Sequence, residues 1–136
     1  MSEANVDLAR EMTDRWNRGD VEGLIERSTP DFEFVPAIAG GVEGGSVHGP
    51  EEFRRFFADL DETWESFKLE AEDFSVVGDR VLITARVRAK GRASAVKLDQ
   101  PIFAVCSFRD GKMSRMLSFL DEERALSAAS LEAGGR

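Results

Sequence analysis

Few side chains in this 136-residue sequence are suited to chemistry: it has one His, one Cys and no Tyr. His48 ends a glycine-rich stretch, and an imidazole titrates near neutral pH, so it is a candidate general base. Arg86 and Arg88 sit in a basic run with Arg80, Lys90, Arg92 and Lys97, with no acid among them. One reading has these guanidinium groups lining a pocket and holding a carboxylate, enolate or polarised carbonyl. The other is a ladder of ion pairs, with Glu72 opposite Arg86 and Glu70 opposite Arg88. A slip of one residue in strand register exchanges the two outcomes. Asp99 and Gln100 precede Pro101 and would either orient a ligand or bond locally to backbone. Cys106 reads as a small buried hydrophobe, and Ser118 has no His–acid support for a nucleophilic role. The catalytic candidates are therefore Arg86, His48 and Asp99.

Composition removes several function classes. A net charge of −8 and a sequence pI near 4.7 argue against nucleic acid, whose binding rests on clustered positive charge. A single cysteine allows no internal disulfide and no Cys-based zinc cluster. With one His, neither a metal nor a cofactor is expected. Residues Met1–Asn5 show no basic start or apolar core, so no secretion signal is expected. No apolar run approaches the ~18 residues of a membrane span, so a cytoplasmic protein without membrane partners is expected.

The elements that must position these groups read as helices first and strands afterwards. Leu8, Ala9, Met12 and Trp16 follow the helical period behind Ser2, and Gly19 suits the stop. Asp20 reads as the N-cap of a short helix with Val21, Leu24 and Ile25, ended by Pro30. Phe32, Phe34 and Pro36 suggest a short edge strand. Gly40–Gly49 reads as a lid-like loop. Pro50, with Glu51 and Glu52 in the first turn, opens a helix carrying Phe53, Phe56, Phe57, Leu60 and Trp64. That aromatic stripe is read as core packing rather than a ligand cage. From Ser66 the period becomes two: a strand to Val77, a turn at Gly78-Asp79, a second strand from Val81, a third over Lys97–Arg109 and a fourth over Lys112–Leu120. Asp121 caps a last helix carrying Ala125, Leu126, Ala129 and Leu131.

This order is the α+β pattern, in one domain over residues 1–136 with a core about 6–131 and a tail at 132–136. Both faces of the last two strands are apolar: Phe103, Val105, Leu117 and Phe119 on one, Ile102, Ala104, Cys106, Met116 and Leu120 on the other. A chain of this length is not expected to cover both, so a homodimer through the outer sheet face is expected.

Asn17-Arg18-Gly19-Asp20, Pro30-Asp31-Phe32-Glu33-Phe34, Val77-Gly78-Asp79-Arg80-Val81 and Phe108-Arg109-Asp110-Gly111-Lys112, in this order, resemble the nuclear transport factor 2-like superfamily. Within it the sequence is similar to the SnoaL-like (polyketide cyclase-like) and ketosteroid isomerase-like branch, over about Val6 to Leu131. The resemblance implies a cone-shaped fold, a long curved antiparallel sheet wrapped around N-terminal helices, with a deep apolar pocket and dimerisation through the sheet. It also implies catalytic sets that this sequence does not carry. Where the steroid isomerase needs a donor Tyr, a base and a second acid, the matching positions hold Met12, Pro36 and Ala104. The Asp-Arg-Asp relay of limonene epoxide hydrolase-like members falls on Arg88, Arg86 and Ser118, keeping only the Arg. The expected pocket is lined by Trp16, Phe34, Phe53, Phe57, Arg86, Arg88, Cys106, Met116 and Ser118. The expected function is binding of a small, apolar or weakly anionic organic molecule, with isomerase, cyclase or hydrolase activity open. The alternative is a non-enzymatic dimeric module with a filled pocket.

Overall fold

The computed structural model describes residues 2–37, 46–93 and 95–134. The order is α1 (Ser2–Asn17), α2 (Val21–Glu26), β1 (Ser28–Val35), β2 (Val47–His48), α3 (Gly49–Thr63), β3 (Trp64–Val77), β4 (Arg80–Gly91), β5 (Lys97–Arg109), β6 (Lys112–Phe119) and α4 (Glu122–Gly134). The six strands form one curved open sheet in the order β2-β1-β6-β5-β4-β3, with α1, α2 and α3 against its inner face, the α+β cone fold.

Local chemistry sets the joints. Gly19 takes φ +72° with open space around it, the left-handed conformation that ends α1 without a Cβ clash. Asp20 then accepts the Gly23 N–H at 3.0 Å and starts α2. Asp110 and Gly111, at φ 55° and 76°, turn β5 into β6. Asp121 accepts the Glu123 N–H at 2.8 Å at the start of α4. At the far edge of the sheet, the Asn17 amide gives and receives 2.8 Å bonds with the Leu69 backbone. It thereby satisfies edge-strand groups that would otherwise lack a partner.

The structure corrects several expectations. Helix α2 ends at Arg27, and Pro30 lies within β1 rather than stopping the helix. Strand β1 is not the edge: the two-residue β2 covers it, and its other neighbour, β6, runs parallel to it. The remaining pairings are antiparallel. The expected lid falls largely on residues 38–45, outside the described residues; Val47 and His48 pair as a strand. Leu131 likewise lies outside the described side chains.

The alternation along β4 holds as expected. Val81, Ile83, Ala85, Val87 and Ala89 face the inner core, joined by Ile102, Ala104 and Cys106 of β5. The outer face, however, does not lack a cover within the chain. Helix α4 packs Ala125 and Ala129 against Leu82 and Val105, with Phe103, Leu117 and Phe119 around them. A short helix with alanines on its buried side lies close to the sheet, which composition alone did not reveal.

Candidate functional site

The inner face carries two small apolar cavities, of about 50 Å3 and 40 Å3. Thr13, Trp16, Phe34, Leu69, Ile83 and Met116 border both, so the two are one cleft pinched in the middle. Helix α1 supplies Met12, Thr13 and Trp16 at helical spacing. The strands supply inward residues at spacing two: Phe32 and Phe34, Ile83 and Ala85, Ile102 and Ala104, Met116 and Ser118. Trp16 packs edge-on against Phe34 and Phe57, with centroids at 5.9 and 4.8 Å.

The polar groups of the cleft are few. Thr13 Oγ1 donates to the Ala9 carbonyl at 2.9 Å, and Ser28 Oγ donates to that of Leu24 at 2.9 Å. Both hydroxyls thus spend their protons on their own backbone. Ser118 borders the second cavity. Glu33 and Arg115 border the first. They are register partners across the parallel β1–β6 pair, and Arg115 Nε donates to Glu33 Oε1 at 2.9 Å. The other Glu33 oxygen lies 3.5 Å from His48 Nε2.

Of the expected wall residues, Trp16, Phe34, Phe53, Met116 and Ser118 do line the cleft. Phe57 faces a different void, beside the ends of α1 and α3. Arg86 and Arg88 line neither half of the cleft. They share the outer face with Leu82, because inward positions on β4 are the odd-numbered ones. Arg86 Nε is 3.0 Å from Asp99 Oδ1, and Arg88 Nε is 2.9 Å from Glu70 Oε1. The ion-pair reading therefore holds for the ladder: Arg88 has the expected partner, Glu70, whereas Arg86 pairs with Asp99 rather than Glu72. A register shift between Ala71 and Asp73 sets Glu70, not Glu72, opposite Arg86. Asp99 is exposed and tied to Arg86, far from a catalytic role in the cleft. Cys106 is fully buried, and burial pushes its thiol up to about 12, so it is neither a pocket wall of the cleft nor a nucleophile.

His48 differs from the lone loop residue expected. It is the N-cap of α3, its backbone N–H donates to Glu52 Oε1 at 2.8 Å, and its ring lies between Glu33 and Glu52. The Glu33–Arg115 pair was missed by sequence reasoning, because only the parallel β1–β6 pairing brings residues 82 apart together. Among the described residues no cluster of His, Cys, Asp and Glu is arranged to hold a metal ion.

A family model for the SnoaL-like domain matches residues 9–116. The chain belongs to the SnoaL-like family. Solved structures of the same fold include an NTF2-like protein of unknown function from Burkholderia pseudomallei, with TM-score 0.77, 21% identity, 93% of this chain and 97% of that one. TerC, co-crystallised with polyporic acid, gives TM-score 0.75 and 22% identity over 93% and 98%. A protein proposed to be a SnoaL-like polyketide cyclase, from Jannaschia, gives 0.74 and 23% over 96% and 94%. A search of curated proteins returns no match. Within this SnoaL-like frame the three positions of the steroid-isomerase groups do face the cleft. Met12 borders the first cavity, and Pro36 and Ala104 border the second. No helix among the described residues is long and apolar enough to cross a membrane.

Proposed function

We propose that this SnoaL-like protein binds a small, largely apolar organic molecule in the inner cleft, without the chemistry of steroid isomerisation or epoxide hydrolysis. The carrying observation is an apolar cleft whose two halves share Thr13, Trp16, Phe34, Leu69, Ile83 and Met116. Its two halves are well below the ~300 Å3 at which ligand pockets usually begin. A ligand therefore enters by moving the partition. Every methionine after Met1 (Met12, Met113 and Met116) lines the first half, and methionine rotates and repacks at low cost. That a structural neighbour, TerC, was co-crystallised with polyporic acid supports an organic ligand on this fold. A cyclase-like activity of the family would need an acid in the cleft, and the nearest carboxylate is that of Glu33, held by Arg115.

The test is a thermal-shift and tryptophan-fluorescence panel of polyporic acid, steroids, polyketide-like aromatics, terpene epoxides and fatty acids. Trp16 borders both halves of the cleft, so an occupant should change its emission. At a hundred times its Kd a ligand adds about 2.7 kcal/mol of apparent stability. A folded protein that shifts with none of them refutes the reading.

A second reading, a non-enzymatic module whose cone is filled by its own side chains, is favoured by the small size of the two cavities. Under either reading we propose that a second copy docks on the outer sheet face beside α4. Leu126 of α4, 42% exposed, supplies apolar surface there. Analytical ultracentrifugation checks this: a monomer at micromolar concentration overturns it, and Leu126→Glu should weaken a dimer.

A further inference from the structure

A third void lies between the C-terminal ends of α1 and α3 and the start of β3. It measures about 400 Å3, the size of an ordinary small-molecule site, and is far larger than either half of the inner cleft. Four aromatic side chains line it, Trp16, Phe57, Trp64 and Phe67, together with the carboxylates Asp61 and Glu65. None of the four aromatics is fully buried. They do not stack. Trp16 meets Phe57 at 70° and 4.8 Å, Phe67 at 53° and 6.2 Å, and Trp64 meets Phe67 at 61° and 5.8 Å. Rings set at such angles form corners, and a corner offers ring faces as well as edges. The Trp64 Nε1 is buried without a hydrogen-bond partner among the described residues.

The charges around the void are mixed. The C-terminal ends of α1 and α3 border it, and at the end of α3 the Arg92 guanidinium donates to the Asp61 and Trp64 carbonyls at 2.9 and 3.3 Å. The protein already places an ammonium at the end of α1: Lys68 Nζ donates to the Asn17 carbonyl at 2.6 Å. Arg18, the other cation on the lining, is held by Asp14 at 3.2 Å. The two carboxylates have only loose partners, Asp61 with Arg92 at 3.6 Å and Glu65 with Lys90 at 3.7 Å. Both pairs are solvent-exposed and easily given up. A cation would meet ring faces and the carboxylates Asp61 and Glu65 once their exposed pairs open, whereas an anion would meet the same carboxylates beside Lys68 and Arg18.

We propose that this cleft is an aromatic cage for an organic ammonium ion, quaternary or alkylated, distinct from the inner apolar cleft. Ring quadrupoles attract such a cation, and its methyl groups lose less hydration than a bare ammonium would. The aromatic residues of α3 then have two uses: Phe53 lines the inner cleft, and Phe57, with Trp64 at the start of β3, lines the cage.

The full chain tests this by titration with choline and tetramethylammonium, followed by the indole N–H resonances of Trp16 and Trp64. The uncharged isostere 3,3-dimethylbutan-1-ol and the anion 3,3-dimethylbutanoate are the comparison ligands. Choline should bind about tenfold more tightly than the alcohol, and the carboxylate more weakly than either. Glu65→Gln, an exposed and conservative change, should weaken choline several-fold and leave the alcohol unchanged. Trp64→Phe should retain part of the affinity, and Trp64→Leu should lose it. Equal binding of choline and the alcohol overturns the cage, as does tighter binding of the carboxylate. So does the absence of saturable choline binding to folded protein at about 100 mM, well above the weakest useful affinity. The inference does not rest on the inner cleft, and a failed apolar-ligand panel leaves it standing.

Discussion

Replacing Ile83 by Ala tests the inner cleft directly. Ile83 is 4% exposed on a central strand and borders both cavities. The change removes three carbons, and at about 0.8 kcal/mol each the transfer loss is about 2.4 kcal/mol. The surroundings relax only in part. At ~24 cal/mol per Å3, each ~50 Å3 of hole left open adds about 1.2 kcal/mol. The expected loss in denaturant unfolding is therefore about 2.5–3.5 kcal/mol, with the m-value unchanged. The same deletion removes a wall shared by the two halves of the cleft and joins them. An apolar cavity of roughly 150 Å3 takes up benzene, so benzene or indole should restore part of the lost stability in the variant and do less in the parent protein. A loss below 1 kcal/mol would mean that the walls collapse into the gap and the cleft is no more than loose packing. A normal loss without rescue by any apolar probe would mean that the halves do not join. Either result refutes the cleft as described.

Three further outcomes follow from other parts of the structure. Arg86→Ala and Arg88→Ala should each cost no more than about 1 kcal/mol and leave ligand binding in the inner cleft unchanged, since both guanidinium groups lie on the outer face in ion pairs; a selective loss of ligand affinity would restore them as pocket residues. Cys106 should be inert to thiol reagents at pH 7–8, because burial holds its thiol protonated up to about 12; labelling should appear only as fast as the protein unfolds, and rapid labelling of native protein would contradict the burial. Glu11 is held below its ordinary value of 4.5, first by its hydrogen bond from Arg15 and further by Arg27, against the opposing effect of burial. Its contribution is present above about pH 4.5 and is lost as pH falls through the lower folded-state value, so the stability gap between the parent protein and Glu11→Gln should narrow on acidification; urea unfolding at several pH values below 5 measures it, and a gap that widens would reverse the assignment.

Local signals carried much of the fold into the sequence. Gly19, Asp20, Pro50, Asp110-Gly111 and Asp121 each act through their own backbone or capping chemistry, so the corresponding element ends were legible without tertiary information. The period-two run from Val81 to Ala89 fixed which residues of β4 face the core, because inward and outward positions alternate whatever the strand's neighbour is. The resemblance to SnoaL-like proteins rested on such local motifs in order, and a family model matches residues 9–116.

Pairing was not legible. Register depends on bulges and on which strands meet, and neither is written in a window of ten residues. The two-residue turn after Val77 and the shift between Ala71 and Asp73 set Glu70 rather than Glu72 opposite Arg86, whose guanidinium pairs with Asp99 on β5. The parallel contact of β1 with β6 created the Glu33–Arg115 pair and gave His48 a carboxylate neighbour. The path of α4 over Leu82 and Val105 closed a face that the sequence had left open.

The sequence by itself determined that the chemistry is sparse: it has no Tyr, one His and one Cys, and the positions that the resemblance assigns to the steroid-isomerase groups hold Met12, Pro36 and Ala104. The tertiary structure decided where the remaining charge and space lie. It turned the basic run of β4 outward, because spacing two puts Arg86 and Arg88 opposite Val87, and it gathered Trp16, Phe57, Trp64 and Phe67 from three elements around one void. Side-chain type is a local property, but which face it meets and what it encloses are set by contacts between distant segments.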